Sequence, residues 1–416
     1  MSTDADMGSL RITTPGLPRN EGRGLQPLVS TGIDSLLEGH WVETRDGRCF
    51  VAKRSLPPSY QHGHDSLAAL FTVPSESLSQ LCREPALAGV DLGSVAFLDI
   101  ETTGLERDMG TLVFLVGVLY YRDGEFHIWQ YFMDRTANER ALLSTLTEFV
   151  AEFSALVTFN GRSFDVPMLE MRLGLHSLPR PLSAMPHADL LYPARRLWKQ
   201  RLGTCRLTAL ERGILGIARP GDVPGARIPE IYYRYLSEKD PRPLLPVFEH
   251  NTNDLLTLLA ITAEAGRRHA DPFAGRVTSG LDFLSLGRVY EWAGDDDMAL
   301  RAYDRALALA LHPADRDEVC RRITPLYKRR ALMDHAVKLW EQMVTSSDTR
   351  GVYPYKELAK YYEHDLQRYD RAEELLMTAL DLLPRDCCTR TTRQELEKRL
   401  LRVRAKLRAS STGTEG

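Results

Sequence analysis

The stretch VAFLDIETTG, residues 95–104, decides the fold. Its first six residues form an apolar run that predicts a buried strand. The two-residue period of a strand sends Asp99 and Glu101 to one face and Ile100 to the other. Two carboxylates so placed repel each other unless a cation lies between them. Acid pairs at this spacing are common on solvated faces, so the informative features are the apolar strand in front and Thr102-Thr103-Gly104 behind.

Downstream, TLVFLVGVLYY (111–121) and EFHIWQYFM (125–133) predict two more strands, joined as a hairpin at Asp123-Gly124. Helical spacing over Asn138–Phe153 follows, then a short buried strand in ALVTFN (155–160) and a helix over Phe164–Leu173. The order is three antiparallel strands, helix, strand, helix. A later run from Pro246 to about Ala265 is helical, with proline where a first turn tolerates it. Upstream, HWVETRDGRCFVAKR (40–54) places Asp46-Gly47 between two alternating runs, the signal for a type I′ hairpin. Residues 1–30 are rich in Gly, Pro and Thr and predict a flexible arm.

Length and composition bound the rest. A chain of 416 residues, 43% hydrophobic and 26% charged, has room for two or three domains with proper cores. A net charge of −3 supplies no global field for nucleic acid, so any polyanion binding must be local. The longest apolar run, Leu112–Leu119, is far short of the roughly 20 residues that span a bilayer. The polar start MSTDADMGSL lacks the features of a secretory signal, so a cytoplasmic protein with no membrane partner is expected. Cys49, Cys82, Cys205, Cys320, Cys387 and Cys388 show no C-x-x-C spacing and read as reduced thiols, not a zinc site.

From about Gly280 the pattern turns wholly helical and repeats. Small residues recur at Ala299, Ala336 and Ala372, each with an upstream Tyr (Tyr290, Tyr327, Tyr362) and a bulky residue four later (Tyr303, Trp340, Leu376). The Leu286-Gly287 pair belongs to the first unit and Pro384 ends the third. The pattern resembles tetratricopeptide repeats, in which small residues let paired helices approach and aromatics fill the gap. The basic amphipathic stretch Thr392–Arg408 predicts a solvating cap helix.

Two further elements carry polar groups with chemical potential. In FNGRSFDVPML (159–169) a strand ends at Asn160-Gly161 and Asp165 opens the next helix, where an acid also serves as an ordinary N-cap. In HNTND (250–254) His250 and Asp254 stand one turn apart on one helical face, with Leu255, Leu256, Leu258 and Leu259 on the buried side.

Taken in order, D-I-E-T-T-G, N-G-x-x-F-D and H-N-x-x-D resemble the three motifs of the DEDD 3′-5′ exonucleases, in the ribonuclease-H-like superfamily. The resemblance covers about Leu92–Ala265 and extends to the superfamily's YprB-type bacterial branch, with tetratricopeptide repeats appended. It implies an α/β mixed sheet flanked by helices, followed by an all-α repeat region. The chain then divides into the arm (1–30), an extension with a hairpin (31–90), the exonuclease-like domain (91–270) and the repeats with cap helix (278–410).

By position, the resemblance makes Asp99, Glu101, Asp165 and Asp254 ligands of two Mg²⁺ or Mn²⁺ ions and His250 the candidate general base. The histidine subclass carries its base five residues before the last acid. Here the spacing is four, as for the tyrosine of the other subclass. The implied activity is metal-dependent hydrolysis of phosphodiester bonds at single-stranded RNA or DNA ends, releasing 5′ monophosphates. The repeats would recruit a protein partner. The alternative is a non-catalytic nucleic-acid-binding or scaffold protein on the same fold.

Candidate substrate contacts are Thr102, which follows the first acids, and Asn160 and Gly161 at the tight turn. The run RRLWKQRLGTCR adds Arg195, Arg196, Trp198 and Lys199, followed by Arg201 and Arg206. It mixes phosphate-gripping charge with an aromatic that would stack a base. A solvated helix face is the plainer reading of that run. Asp189, just upstream, either supports the site or caps a helix.

Overall fold

The computed structural model describes residues 32–104, 106, 108–345, 351–383 and 390–412. The expected arm, Pro384 and the Cys387-Cys388 pair lie outside them. The other four cysteines are free and at least half-buried.

A seven-stranded sheet, ordered β1-β2-β7-β6-β5-β8-β9, organises the first two thirds of the chain. β5 (Val95–Thr102), β6 (Val113–Arg122) and β7 (Glu125–Phe132) form the expected antiparallel trio, and β8 (Ala155–Thr158) runs parallel to β5. Asp123 and Gly124 both have positive φ, 51° and 87°, as a type I′ turn requires.

The first hairpin differs from its sequence reading. β1 (Gly39–Thr44) and β2 (Gly47–Leu56) pair Thr44 with Gly47, so Arg45 and Asp46 are the loop residues and neither has positive φ. Thr44 explains the shift, because its hydroxyl takes the Asp46 amide and donates to the Gly47 carbonyl, fixing the turn one residue early. β2 pairs antiparallel with β7, so this hairpin extends the main sheet. A minor pair, β3 (Gln61–His62) and β4 (Asp65–Ser66), stands apart. β9 (His187–Asp189), too short to show periodicity, closes the other edge beside β8.

Alternation along β5 divides the core. Ala96, Leu98 and Ile100 join α2 (Glu139–Val150) and α3 (Asp165–Leu175) on one face. Val95 and Phe97 pack with Leu119 and Ile128 under Leu255, Leu258 and Leu259 of the long helix α7 (Leu245–Ala270) and under Leu78 of α1 (Ser75–Cys82). Asp99 and Glu101 continue that second face. Between β9 and α7 lie α4 (Leu191–Leu202), α5 (Leu207–Leu210) with a wide turn over Glu211–Leu215, and α6 (Ile228–Glu238).

The C-terminal region is helical throughout. α8 (Gly280–Ala293), α9 (Asp296–Leu307), α10 (Pro313–Arg329), α11 (Met333–Thr345), α12 (Tyr353–His364), α13 (Tyr369–Leu382) and α14 (Arg390–Thr412) each pack on the next. The recurring Ala299, Ala336 and Ala372 are fully buried, as are Tyr303, Trp340 and Leu376 beside them. A Cβ on Gly287 would stand 2.3 Å from the Tyr303 ring, so only glycine lets α8 lie this close to α9. α14 buries Leu396, Leu400 and Val403 against α12 and α13 while Arg399, Arg402 and Lys406 converge on Glu363.

Candidate active site

The polar face of β5 is built across three strands. Asp99 is opposite Gly117 of β6, which is opposite Gln130 of β7, so the three share one row on the α7 side. Gly117 matters because α7 crosses there. A Cβ at that position would fall 2.1 Å from the Asn251 amide oxygen and 2.7 Å from Leu255. Into that gap Asn251 sends its side chain, accepting from Gln130 at 2.8 Å and donating to the Asp99 carboxylate at 2.8 Å. Asn251 is fully buried and ties the late helix to the first acid.

Glu101 lies two residues further along the same face of β5, and a register shift between Glu101 and Thr102 ends the strand. The Thr102 hydroxyl is turned inward, donating to the Gly104 carbonyl at 2.6 Å. Asp165 is the first residue of α3 and Phe164 holds the N-cap position, so the cap reading of Asp165 does not apply. The Asp165 carboxylate instead faces the end of β5, where the Ile100 amide stabilises its charge.

The electrostatics show that these groups share one environment. Burial raises Asp99 and Glu101 well above the usual carboxylate range, and Asp254 is the next cause for both. Glu101 and Asp165 add to the effect on Asp99, and Asp165 and Asp222 to that on Glu101. Asp165 is pushed up to about 7, chiefly by burial and then by Asp189, against the stabilising amides. Acids in this state, all oxygen donors, suit a hard divalent cation. Among the described residues, no three His, Cys, Asp or Glu side chains converge tightly enough to form a ready coordination shell.

His250 lies between two carboxylates. Its Nδ1 is 2.9 and 3.0 Å from the two oxygens of Asp222, and its Nε2 is 3.6 Å from Asp254. An ionised carboxylate only accepts, so Nδ1 carries the proton and, in the neutral ring, Nε2 is bare toward Asp254. Asp254 also receives Arg219 at 2.5 Å, and Arg219 in turn holds buried Glu211 and lies 3.1 Å from the Thr257 hydroxyl. Asp222, Arg219, Glu211 and Asn251 were not singled out in the sequence. Asn251 lies inside the HNTND motif. The others come from segments with no recognisable spacing to it.

The turn before Asp165 is equally constrained. Asn160 has φ +68°, and a Cβ on Gly161 would be 2.3 Å from the Thr158 hydroxyl, so the chain folds tightly back on β8. Asp189 supports that turn and starts α4 as well, accepting from the amides of Asn160, Arg162 and Leu191 at 2.7, 3.1 and 3.1 Å.

The basic run divides. Trp198 is 1% exposed and packs in the core that α4 shares with α8 and α9, so it cannot stack a base, contrary to its sequence reading. Helical spacing from Leu191, Ala194 and Leu197 placed it on the apolar face. Arg201 is bound to Asp282 at 2.7 Å, and Arg196 donates to the Leu81 carbonyl. Arg195, Lys199 and Arg206 remain exposed.

Residues 96–265 match the family model RNase_H_2 of the RNase_H superfamily. This segment is similar to the RNase_H superfamily, and its mixed sheet flanked by helices is consistent with a ribonuclease-H-like fold. The chain is 28% identical over 377 residues to "Uncharacterized protein YprB" of Bacillus subtilis (strain 168), covering 87% of each chain. It also matches the structure of the family B DNA polymerase from Pyrobaculum calidifontis at 15% identity and a TM-score of 0.34, over 48% of this chain. That match spans 29% of the polymerase's length. Within residues 96–265, β5, which lies between antiparallel β6 and parallel β8, is the strand that carries the acid pair. No described helix is long and apolar enough to cross a membrane.

Proposed function

We propose that the protein is a metal-dependent 3′-5′ exonuclease acting on single-stranded nucleic-acid ends, with a tetratricopeptide-like array that recruits a protein partner. The observation that carries this reading is that Asp254 of α7 and Asp165 of α3 stand near enough to buried Asp99 and Glu101 of β5 to raise both carboxyls. Those four carboxylates would hold two Mg²⁺ or Mn²⁺ ions. Bound there, the ions supply an acidified water and a charged clamp on the leaving oxygen.

The chain's own groups do the rest. Asp222 fixes the His250 ring so that Nε2 is available to accept a proton beside Asp254. Asn251 locks the Asp99 carboxylate in one orientation. The Asn160 side chain, half-exposed at its tight turn, is the group left there for a sugar or phosphate, since Gly161 is buried and Thr102 bonds inward to Gly104. Arg195 and Lys199, with Arg196 behind them, supply local positive charge that the net composition lacks.

The test is incubation of the purified protein with end-labelled single-stranded DNA and RNA in Mn²⁺. Laddering from the 3′ end that Asp99→Asn and Asp254→Asn each abolish is the expected result. A second reading, a domain that holds nucleic acid without cutting it, is favoured by one observation: Arg219 already occupies an oxygen of Asp254. Strand binding with no laddering under any divalent ion would establish that reading.

A further inference from the structure

Away from the acids, α1, α4 and α8 enclose a cleft of about 260 Å³ lined by Arg83, Arg195, Arg196, Arg288 and Trp292, with no acid in its wall. Two of the arginines are anchored. Arg288 grips Glu318 at 2.9 and 2.5 Å and Gln200 at 2.8 Å, and Arg196 holds the Leu81 carbonyl. Arg83, Arg195 and Arg196 form no ion pair among the described residues, and of the four arginines only Arg288 is paired with an acid. Burial, and then the positive charge of Arg83, push Arg196 below its usual range. Mutually repelling guanidinium groups around one opening form the counterpart of the acid cluster, and they favour an anion between them.

Trp292 adds a second chemistry. It is 53% exposed, a large apolar ring left in solvent, and the Arg83 guanidinium lies 3.7 Å from its centroid. Phosphate-binding cations beside an exposed aromatic match the chemistry of an unpaired nucleotide, whose phosphate and base need the two together. A cleft of this size admits one such unit. Trp292 thus supplies the aromatic that buried Trp198 cannot.

One ion pair links the rim of the cleft to the turn before Asp165. Glu84 follows Arg83 directly and pairs at 2.5 Å with Arg162, in the turn that leads to Asp165. Glu84 and Arg162 also line a separate groove of about 660 Å³ with Val166 and His187.

We infer that this cleft is a nucleotide-binding station for single-stranded nucleic acid, formed jointly by the ribonuclease-H-like domain and the first helix of the C-terminal region. The inference rests on the exonuclease reading only for the direction of the strand toward Asp165. Its test measures binding alone. Full-length protein in EDTA, which suppresses metal-dependent cutting, is titrated into labelled oligo(dT) of about ten nucleotides and followed by anisotropy.

Arg83→Gln with Arg195→Gln should weaken binding about tenfold at roughly 0.1 M salt and shrink the salt dependence by about one ion per strand. Trp292→Ala should weaken it about fivefold with the salt dependence unchanged, and Trp292→Phe should retain most of the affinity. Arg195 and Trp292 are exposed, so the single variants Arg195→Gln and Trp292→Ala test the cleft even if the double variant is poorly folded. Wild-type affinity in these single variants overturns the inference, as does no binding by the wild type. Displacement of the oligonucleotide by AMP or inorganic phosphate at equal concentration would assign the cleft to a small phosphate ligand and overturn it too. An acidic peptide that competes in the wild type but not in Arg195→Gln would do the same. Loss of laddering with this binding pattern intact would remove the exonuclease reading and leave the cleft standing.

Discussion

His250 and Asp222 illustrate how one side chain depends on another that the sequence does not mark. If Asp222 sets the proton on Nδ1, Asp222→Asn can present its amide nitrogen to the ring and flip the tautomer. Cleavage by Asp222→Asn should then fall about tenfold to a hundredfold with substrate affinity little changed, measured as kcat and KM on a labelled strand. A loss confined to KM would place Asp222 in substrate binding instead. The acids make a second prediction. Carboxyl groups whose folded pKa is raised stabilise the fold while protonated. That contribution is complete below the unfolded value, near 4, and is lost as the pH rises through the raised values, about 7 for Asp165. The metal-free protein should therefore melt at lower temperature at about pH 8 than at about pH 5, and Mn²⁺ should recover the difference at the higher pH. A melting temperature that ignores Mn²⁺ at both values would speak against a metal site. Asp99 and Glu101 were legible as a pair because a strand's period is short and fixed. Arg219 and Asp222 were not, because they lie in an irregular segment with no period of its own, held by contacts to Glu211 and α7.

Among the elements, β5, β6, β7, α3 and α7 stand within a few residues of their sequence reading, since each is a long apolar or amphipathic run. β9 was missed because three residues carry no period, and the first turn moved by one residue because a threonine hydroxyl outcompeted the Asp-Gly preference. The packing of α7 on β6 depends on a single absent side chain. Gly117→Ala would force Asn251 and Leu255 outward, with a cost of about 1–3 kcal/mol in stability by denaturant unfolding. It should reduce cleavage further than that loss explains, because Asn251 would release Asp99. Cleavage at wild-type level in a folded Gly117→Ala protein would show that Asn251 does not orient the acid.

At the scale of the whole molecule, the two regions meet through a polar lock and a common core. Buried Asp282 of α8 accepts from Arg201 of α4 at 2.7 Å and from Arg268 of α7 at 3.1 Å. Asp282→Ala leaves part-exposed Arg201 without its acid while Arg268 keeps Glu264 at 2.6 Å, a loss of about 1–3 kcal/mol that calorimetry should register as a lower melting temperature. An unchanged melt would mean that the lock is dispensable. Around it, Leu197, Trp198 and Ile261 lie in one continuous apolar cluster with Phe283, Leu284 and Tyr303. No sequence period reports such a junction, because each helix shows only that it has an apolar face, not what covers it. The cluster has a consequence for synthesis. A chain emerging from the ribosome completes residues 39–270 while Trp198 and Ile261 still await α8, so the newborn ribonuclease-H-like domain carries an uncovered greasy patch. Its surface is finished only when translation has passed about residue 307, the end of α9, and a stall before that point releases a sticky intermediate.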